Sequence, residues 1–196
     1  MEARRPQIWL VRHGETEWSR TERHTGRTDI PLSAAGERDA AGFAPRLAGR
    51  RFALVLASPL ARAWDTCWLA GFGEVAERCD DLVEWDYGAF EGRTSAEIRA
   101  ERPGWTIWTG EVPGGETAED VGRRATRVID RAAAAGGDVL LCAHGHLLRV
   151  LGAVWAGLPP RDGRALALAT ASLGVLGYEH ETRVLLAWNV TVPLGP

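Results

Sequence analysis

Three short apolar runs in this chain each lead straight into residues able to hold a phosphate. Residues 8–11 run into Arg12-His13-Gly14, residues 53–57 into Ser58-Pro59-Leu60-Ala61-Arg62, and residues 139–143 into His144-Gly145-His146. An apolar run of this length, bounded by polar and turn residues, suits a strand buried on both faces. Helical patterns separate the runs, so the strands are expected to lie parallel in one sheet. Ligands of such sheets bind outside the carboxyl ends of the strands. The pattern therefore predicts that His13, Arg62 and His144 meet at one sheet edge, with Arg12 beside them.

A length of 196 residues suits one domain over 1–196 with a substantial core. The net charge of −3 argues against a nucleic-acid partner, which calls for a basic face. All 23 basic residues are arginine. Without lysine, a Walker-type phosphate loop and Schiff-base chemistry are excluded. Arginine, a bidentate partner for phosphate oxygens, is left as the cationic ligand, although a GC-rich genome accounts for the same bias. Cys67, Cys79 and Cys142 show no Cys-x-x-Cys spacing, so neither a disulfide framework nor a zinc site follows, and no metal or other cofactor is expected. Arg4 and Arg5 precede only four apolar residues before Arg12, and the apolar stretch 165–176 is broken by Thr, Ser and Gly. Neither reads as a signal peptide or a membrane span, so a cytoplasmic protein without a membrane partner is expected.

Ala40, Phe43, Ala44 and Leu47 recur at helical spacing and predict a first helix over 34–48. Leu60, Trp64, Cys67 and Trp68 predict a second, with Ser58 as its N-cap and Pro59 at its first position. Val121, Ala125, Val128, Ile129 and Ala132 mark a third, ended by Gly136-Gly137. Leu147, Leu148, Leu151, Val154 and Trp155 mark a fourth, stopped by Gly157 and Pro159-Pro160. Residues 173–178 and 182–188 flank a polar turn and read as a β-hairpin, and 74–79 supply one further short strand. Residues 81–115 are irregular and rich in Trp, Gly and charge; they read as a lid over the strand ends, with a short helix near 95–101.

A histidine directly after a strand, between Arg12 and Gly14, does not easily face the core. Alone, His13 would read as a histidine satisfied at a strand end. Converging with Arg12, Arg62 and His144, it becomes a candidate nucleophile: a neutral imidazole attacks phosphorus in line, giving a phosphoramidate that water later opens. Catalysis then rests on placing and neutralising the phosphoryl group. Arg12 and Arg62 supply charge, His144 a further donor, and the helix after Gly145 a positive dipole end.

Four segments, LVRHGETEWS (10–19), HTGRTDIPLS (24–33), SPLARA (58–63) and AHG (143–145), resemble in that order the phosphoglycerate mutase-like histidine phosphatases. The resemblance covers most of the chain. It implies an α/β fold, a three-layer sandwich with a mostly parallel central sheet flanked by helices. It also implies that His13 becomes phosphohistidine, that Arg12, Arg62 and His144 bind the phosphate, and that Ser19, Thr25, Gly26, Tyr87 and Gly145 complete the substrate-binding set. The family more often has asparagine where Ser19 stands, which leaves a direct contact there open.

The leaving alkoxide needs a proton, and general acid help is worth roughly 10²–10⁴ in rate. Carboxylates are plentiful, so composition does not choose one. The family's acid is a glutamate in a block like Leu-x-Glu-x-x-Tyr-Gly-x-x-Glu-Gly; Leu82-Val83-Glu84-Trp85-Asp86-Tyr87-Gly88-Ala89-Phe90-Glu91-Gly92 matches it and assigns the role to Glu84, with Asp86 and Glu91 as competitors. An acidic optimum is expected for leaving groups that need protonation. His24 is a candidate for the pocket rim, His146 reads as a structural or capping residue, His180 as an exposed turn residue, and Trp105 and Trp108 as pins for the lid.

The family's mutases carry an arginine pair in their insertion and a lysine after the glutamate block. Here Arg93-Thr94-Ser95 follows Gly92, and 105–109 lacks paired arginines. Hydrolysis of a small phosphorylated metabolite is therefore expected over phosphoryl transfer between sugars or acids. The blocks around Glu84, Trp105 and Glu116 are similar to a group of actinobacterial acid phosphatases and to the sedoheptulose-1,7-bisphosphatase branch. A sugar bisphosphate would need a second anion site, with Arg23, Arg27, Arg93 and Arg99 as candidates. A non-catalytic phosphate-binding protein is the alternative of a different class. Edge strands and nine tryptophans permit a homodimer.

Overall fold

The three apolar runs become the centre of one sheet. In the computed structural model residues 5–191 are described, so Arg4 and the two ends of the expected domain lie outside the described residues. Strands β1 (Ile8–Arg12), β2 (Leu54–Ala57), β3 (Glu77–Arg78) and β4 (Val139–Ala143) run parallel, and the hairpin β5 (Ser172–Glu179) and β6 (Thr182–Thr191) adds two antiparallel strands in the order β3-β2-β4-β1-β5-β6. The architecture expected from the sequence is present. Register finishes the three central strands level: Arg12 lies opposite Ala143, and Ala57 opposite Cys142. The ladder extends one step beyond, with His13 N–H donating to Ala143 and Ser58 N–H to Cys142, each at 3.0 Å. His13, Ser58 and His144 thus leave the sheet side by side.

Alternate strand residues face opposite layers. Ile8, Leu10 and Leu141 pack with helices α6 (Ala118–Ala133) and α7 (Gly145–Trp155), whereas Trp9, Val11, Leu140 and Cys142 pack with α3 (Phe43–Leu47) and α4 (Ala61–Leu69). Helix α6 buries Val121, Ala125, Val128, Ile129 and Ala132 and opens on a capping box between Thr117 and Asp120. Among the described residues no helix is long and apolar enough to cross a membrane.

Three local expectations change. The helix expected over 34–48 is two, α2 (Ala34–Ala41) and α3, meeting at Gly42. Pro45 explains the break, because it brings no N–H to the Ala41 carbonyl and its ring would collide with it. Helix α4 starts at Ala61, not at Pro59, and Ser58 is not its cap: the Ala61 N–H donates to Asp29 Oδ1 at 2.8 Å, a cap from 32 residues away. The strand expected over 74–79 shrinks to β3, because a 3₁₀ turn occupies Gly73–Val75.

The segment 81–115 carries the short helix α5 (Ser95–Glu101) as expected, begun by a Thr94/Glu97 capping box. It is no loose flap. Trp85, Tyr87, Phe90, Ile98 and Trp105 are buried in the same cluster as α6 and α7. Arg124 of α6 straps it down, donating to both Glu116 carboxylate oxygens (2.8 and 2.7 Å) and to the Asp81 and Val83 carbonyls (2.8 Å each). Glu116 in turn accepts the Asp86 N–H at 2.9 Å and, through its carbonyl, the Trp85 indole at 2.8 Å. Glu84 is held inside this frame.

Candidate active site

A cavity of about 510 Å³ opens at the carboxyl ends of β1 and β4. Arg12, His13, Ser19, Thr25, Glu84, Tyr87 and Gly145 line it. Among the candidate residues, Gly26, Arg62 and His144 stand behind this wall. His13 is buried, and its Nδ1 lies 2.7 Å from the Gly14 carbonyl. A carbonyl only accepts, so the ring proton is assigned to Nδ1 and the lone pair to Nε2. Burial, then the charges of Arg62 and Arg12, push His13 well below the usual histidine range. The ring therefore stays neutral into acidic solution.

Arg62 and His144 back His13. The two imidazoles meet edge to face at 5.2 Å. Arg62 Nε donates to His144 Nδ1 at 3.2 Å, which puts the other ring proton on Nε2, 2.8 Å from Ser58 Oγ. The Arg62 head also holds the carbonyls of Thr25, Gly26 and Thr28 at 2.8–3.1 Å. Here its guanidinium organises the 25–28 loop, and Glu91 holds the same loop from the other side by accepting the Gly26 and Thr28 N–H groups at 2.9 and 3.1 Å. Gly26 has no room for a side chain, since a Cβ would come within 2.6 Å of the Trp85 carbonyl. Arg12 donates to the Leu168 carbonyl, and its buried Nε has no partner among the described residues. Gly145 lets α7 approach that guanidinium, where a Cβ would stand 3.0 Å from Arg12 Cζ.

Glu84 sits at the N-terminus of α7. Its Oε1 accepts from Trp85 and Leu147 N–H, both at 2.9 Å, and its Oε2 from His146 N–H at 3.0 Å. The competing carboxylates are committed elsewhere. Asp86 pairs with Arg27 at 2.6 Å and accepts the Gly88 N–H, while Glu91 anchors the 26–28 loop. Ser19 is the third residue of a capping box on α1 (Glu17–Arg20): its hydroxyl accepts from Thr16 N–H at 2.8 Å and donates to the Thr16 carbonyl at 3.0 Å. That hydroxyl has no proton left for a ligand.

His24 stands on the rim, packed 4.7 Å from the Tyr87 ring and 3.3 Å from Ser95 Oγ; burial, then Arg99, bring it down to about 4. Of the four further arginine candidates, Arg23 and Arg99 line the cavity, whereas Arg27 and Arg93 are paired with Asp86 and Glu101. Trp105 is buried and pins the lid, as expected, while Trp108 is part of the cavity wall. His180 is exposed in the hairpin turn.

One wall residue, Arg149, escaped the sequence reading, and another, His146, expected to be a structural or capping residue, lines the cavity instead. His146 accepts or donates at Nδ1 to the Tyr87 hydroxyl at 2.6 Å, and Arg149 stacks over Trp108 with Cζ 4.6 Å from the ring centre. A signal existed. Three residues apart on one helix, they must share a face with the turn that opens on the site.

Sheet and cavity together define an α/β protein with a cationic site at the carboxyl edge of its strands. Residues 8–191 match the histidine phosphatase superfamily (branch 1), and the chain belongs to that superfamily. It is 39% identical over 196 residues to an acid phosphatase of Mycobacterium tuberculosis, covering 97% of this chain and 96% of that protein. It is 33% identical to sedoheptulose 1,7-bisphosphatase of Saccharomyces cerevisiae, over 78% of this chain and 68% of that one. The solved structure of an open reading frame product of Mycobacterium tuberculosis superposes with a TM-score of 0.91 at 38% identity, covering 96% of this chain and all of that one. The chain is an enzyme of a phosphatase family.

Proposed function

We propose that this protein is a phosphomonoester hydrolase that works through a phosphohistidine on His13. One observation carries the reading: Nδ1–H is committed to the Gly14 carbonyl, so a neutral, bare Nε2 is left at a cavity lined by Arg12. Nε2 attacks phosphorus in line, the P–N bond forms, and the bond to the ester oxygen breaks. The protonated Glu84 carboxyl gives its proton to that oxygen. Water then attacks phosphorus, Glu84 takes its proton, and the P–N electrons return to the ring.

Arg12 and the Gly145 N–H, which Glu84 does not use, are the donors for the phosphoryl oxygens. Arg62 and His144 contribute as a charge and an aligned neutral ring behind the nucleophile. The stabilisation of developing charge by such fixed donors is the larger part of catalysis in phosphoryl transfer. Water is favoured as the acceptor because the segment 105–109 offers no paired arginines. The test is phosphate release from phenyl phosphate by the native protein and by His13→Ala. Release confined to the native protein is the expected result, and equal rates would overturn the covalent route.

A second reading, a sugar bisphosphatase, draws on Arg23, Arg99 and Arg149, which line the same cavity in addition to Arg12. The similarity to the yeast bisphosphatase points the same way. A panel of mono- and bisphosphates separates the two: a sharp preference for one sugar bisphosphate favours this reading, and broad release favours a general acid phosphatase.

A further inference from the structure

The His146 ring is fixed from several sides. The residue's backbone N–H binds Glu84 Oε2, and the ring centres of Trp85 and Trp108 stand 6.2 and 5.2 Å from its own in edge-to-face contact. Its Nδ1 lies 2.6 Å from the Tyr87 hydroxyl. Tyr87 is only 2% exposed, and this nitrogen is its hydroxyl's hydrogen-bond partner among the described residues. Were Nδ1 the donor, the phenolic proton would have no acceptor among the described residues, and a polar group left unpaired is costly. The hydroxyl therefore donates, and the ring proton resides on Nε2. Nε2 has no hydrogen-bond partner among the described residues, while His146 lines the cavity.

We infer that His146 is a specificity-determining residue that donates its Nε2–H to an oxygen of the leaving group, with Tyr87 as the positioning residue that fixes its tautomer. The inference rests on the hydrolase reading above. It places the donor at the leaving-group end because the same residue's backbone N–H holds Glu84, the group that protonates the ester oxygen. Burial, then Arg149, His24 and Arg12, keep the ring uncharged, so it offers a hydrogen bond without adding to the cationic field. Such a donor prefers leaving groups that carry hydroxyl oxygens over bare aryl groups, since a site built to bind a hydroxyl discriminates against an analogue lacking it.

The probes are glycerol 3-phosphate, whose leaving group bears hydroxyls, and phenyl phosphate, whose leaving group has none beyond the ester oxygen. The readout is the ratio of their kcat/KM values. His146→Asn keeps an acceptor near the Nδ1 position for Tyr87 but cannot reach the Nε2 position. His146→Gln does the reverse. One neutral hydrogen bond is worth about three- to tenfold, so His146→Asn lowers the ratio by that factor, and His146→Gln holds it within about twofold. Imidazole nitrogen shifts report Nε2–H in the native protein and a tautomer mixture in Tyr87→Phe, independently of turnover. If His146→Asn keeps the ratio as well as His146→Gln does, or if the native ring carries its proton on Nδ1, the inference is overturned. With normal phenyl phosphate hydrolysis, that failure is its own. Release no faster than that of His13→Ala with either ester defeats the hydrolase reading, and this inference with it.

Discussion

Glu84 accepts three backbone N–H groups and still borders the cavity, so its position is set by α7 and the loop rather than by a mobile side chain. Replacing it by Gln turns an amide N–H against one of those donors and removes the proton that the proposed route transfers. Glu84→Gln is expected to lower kcat for glycerol 3-phosphate by roughly 10²–10⁴ and for phenyl phosphate by less, because phenolate leaves with less help. An equal fall for both esters would show that Glu84 is structural. The proposed route needs a proton on its donor and a neutral His13; burial keeps His13 neutral into acidic solution, so the native rate with glycerol 3-phosphate should rise toward acidic pH. A rate flat from acidic to neutral pH would count against that division of labour. Gly145→Ala tests the approach of α7 to Arg12: the added Cβ, 3.0 Å from Cζ, should displace the guanidinium and raise the inhibition constant of inorganic phosphate.

The elements that set this geometry differ in how plainly the sequence announces them. Central strands and α5 were legible because apolar runs and the Thr94-x-x-Glu97 box act locally. Pro45 was legible and should have divided the first helix. The start of α4 was not, since its cap comes from Asp29 in a distant loop. His13, Arg12 and Glu84 could be read from motifs, but the Tyr87–His146 pair joins residues 59 apart and needs the fold. The Arg124 strap escaped for the same reason, since its bonds to the Asp81 and Val83 carbonyls span 43 and 41 residues. Breaking one partner of a half-buried pair leaves the other uncompensated, so Arg124→Met should cost about 1–3 kcal/mol in a urea titration and lower kcat by loosening the loop around Glu84. Unchanged stability and kcat would remove the strap from the account.

Across the whole molecule, buried imidazoles couple stability to pH. His24 titrates at about 4 in the folded protein, against 6.5 for the ordinary side chain, and His13, His144 and His146 are also pushed down by burial. Between those values the unfolded chain binds protons that the folded one refuses. Stability is thus fully present above pH 6.5 and is lost as the pH falls toward 4, by about 3 kcal/mol for His24 alone. The urea midpoint should fall between about pH 7 and about pH 5, and a constant midpoint would contradict this. Acidic solution therefore weakens the fold. No proposed step uses a metal, so phosphate release should survive a chelator. The central claim is the covalent intermediate, and it is tested most directly by quenching the protein during turnover of phenyl phosphate and locating the phosphoryl group by mass spectrometry of the peptides. A phosphoryl group on His13, stable to alkali, lost in acid and absent from His13→Ala, is the result predicted. Turnover with an unmodified His13 peptide, retained in His13→Ala, would contradict it.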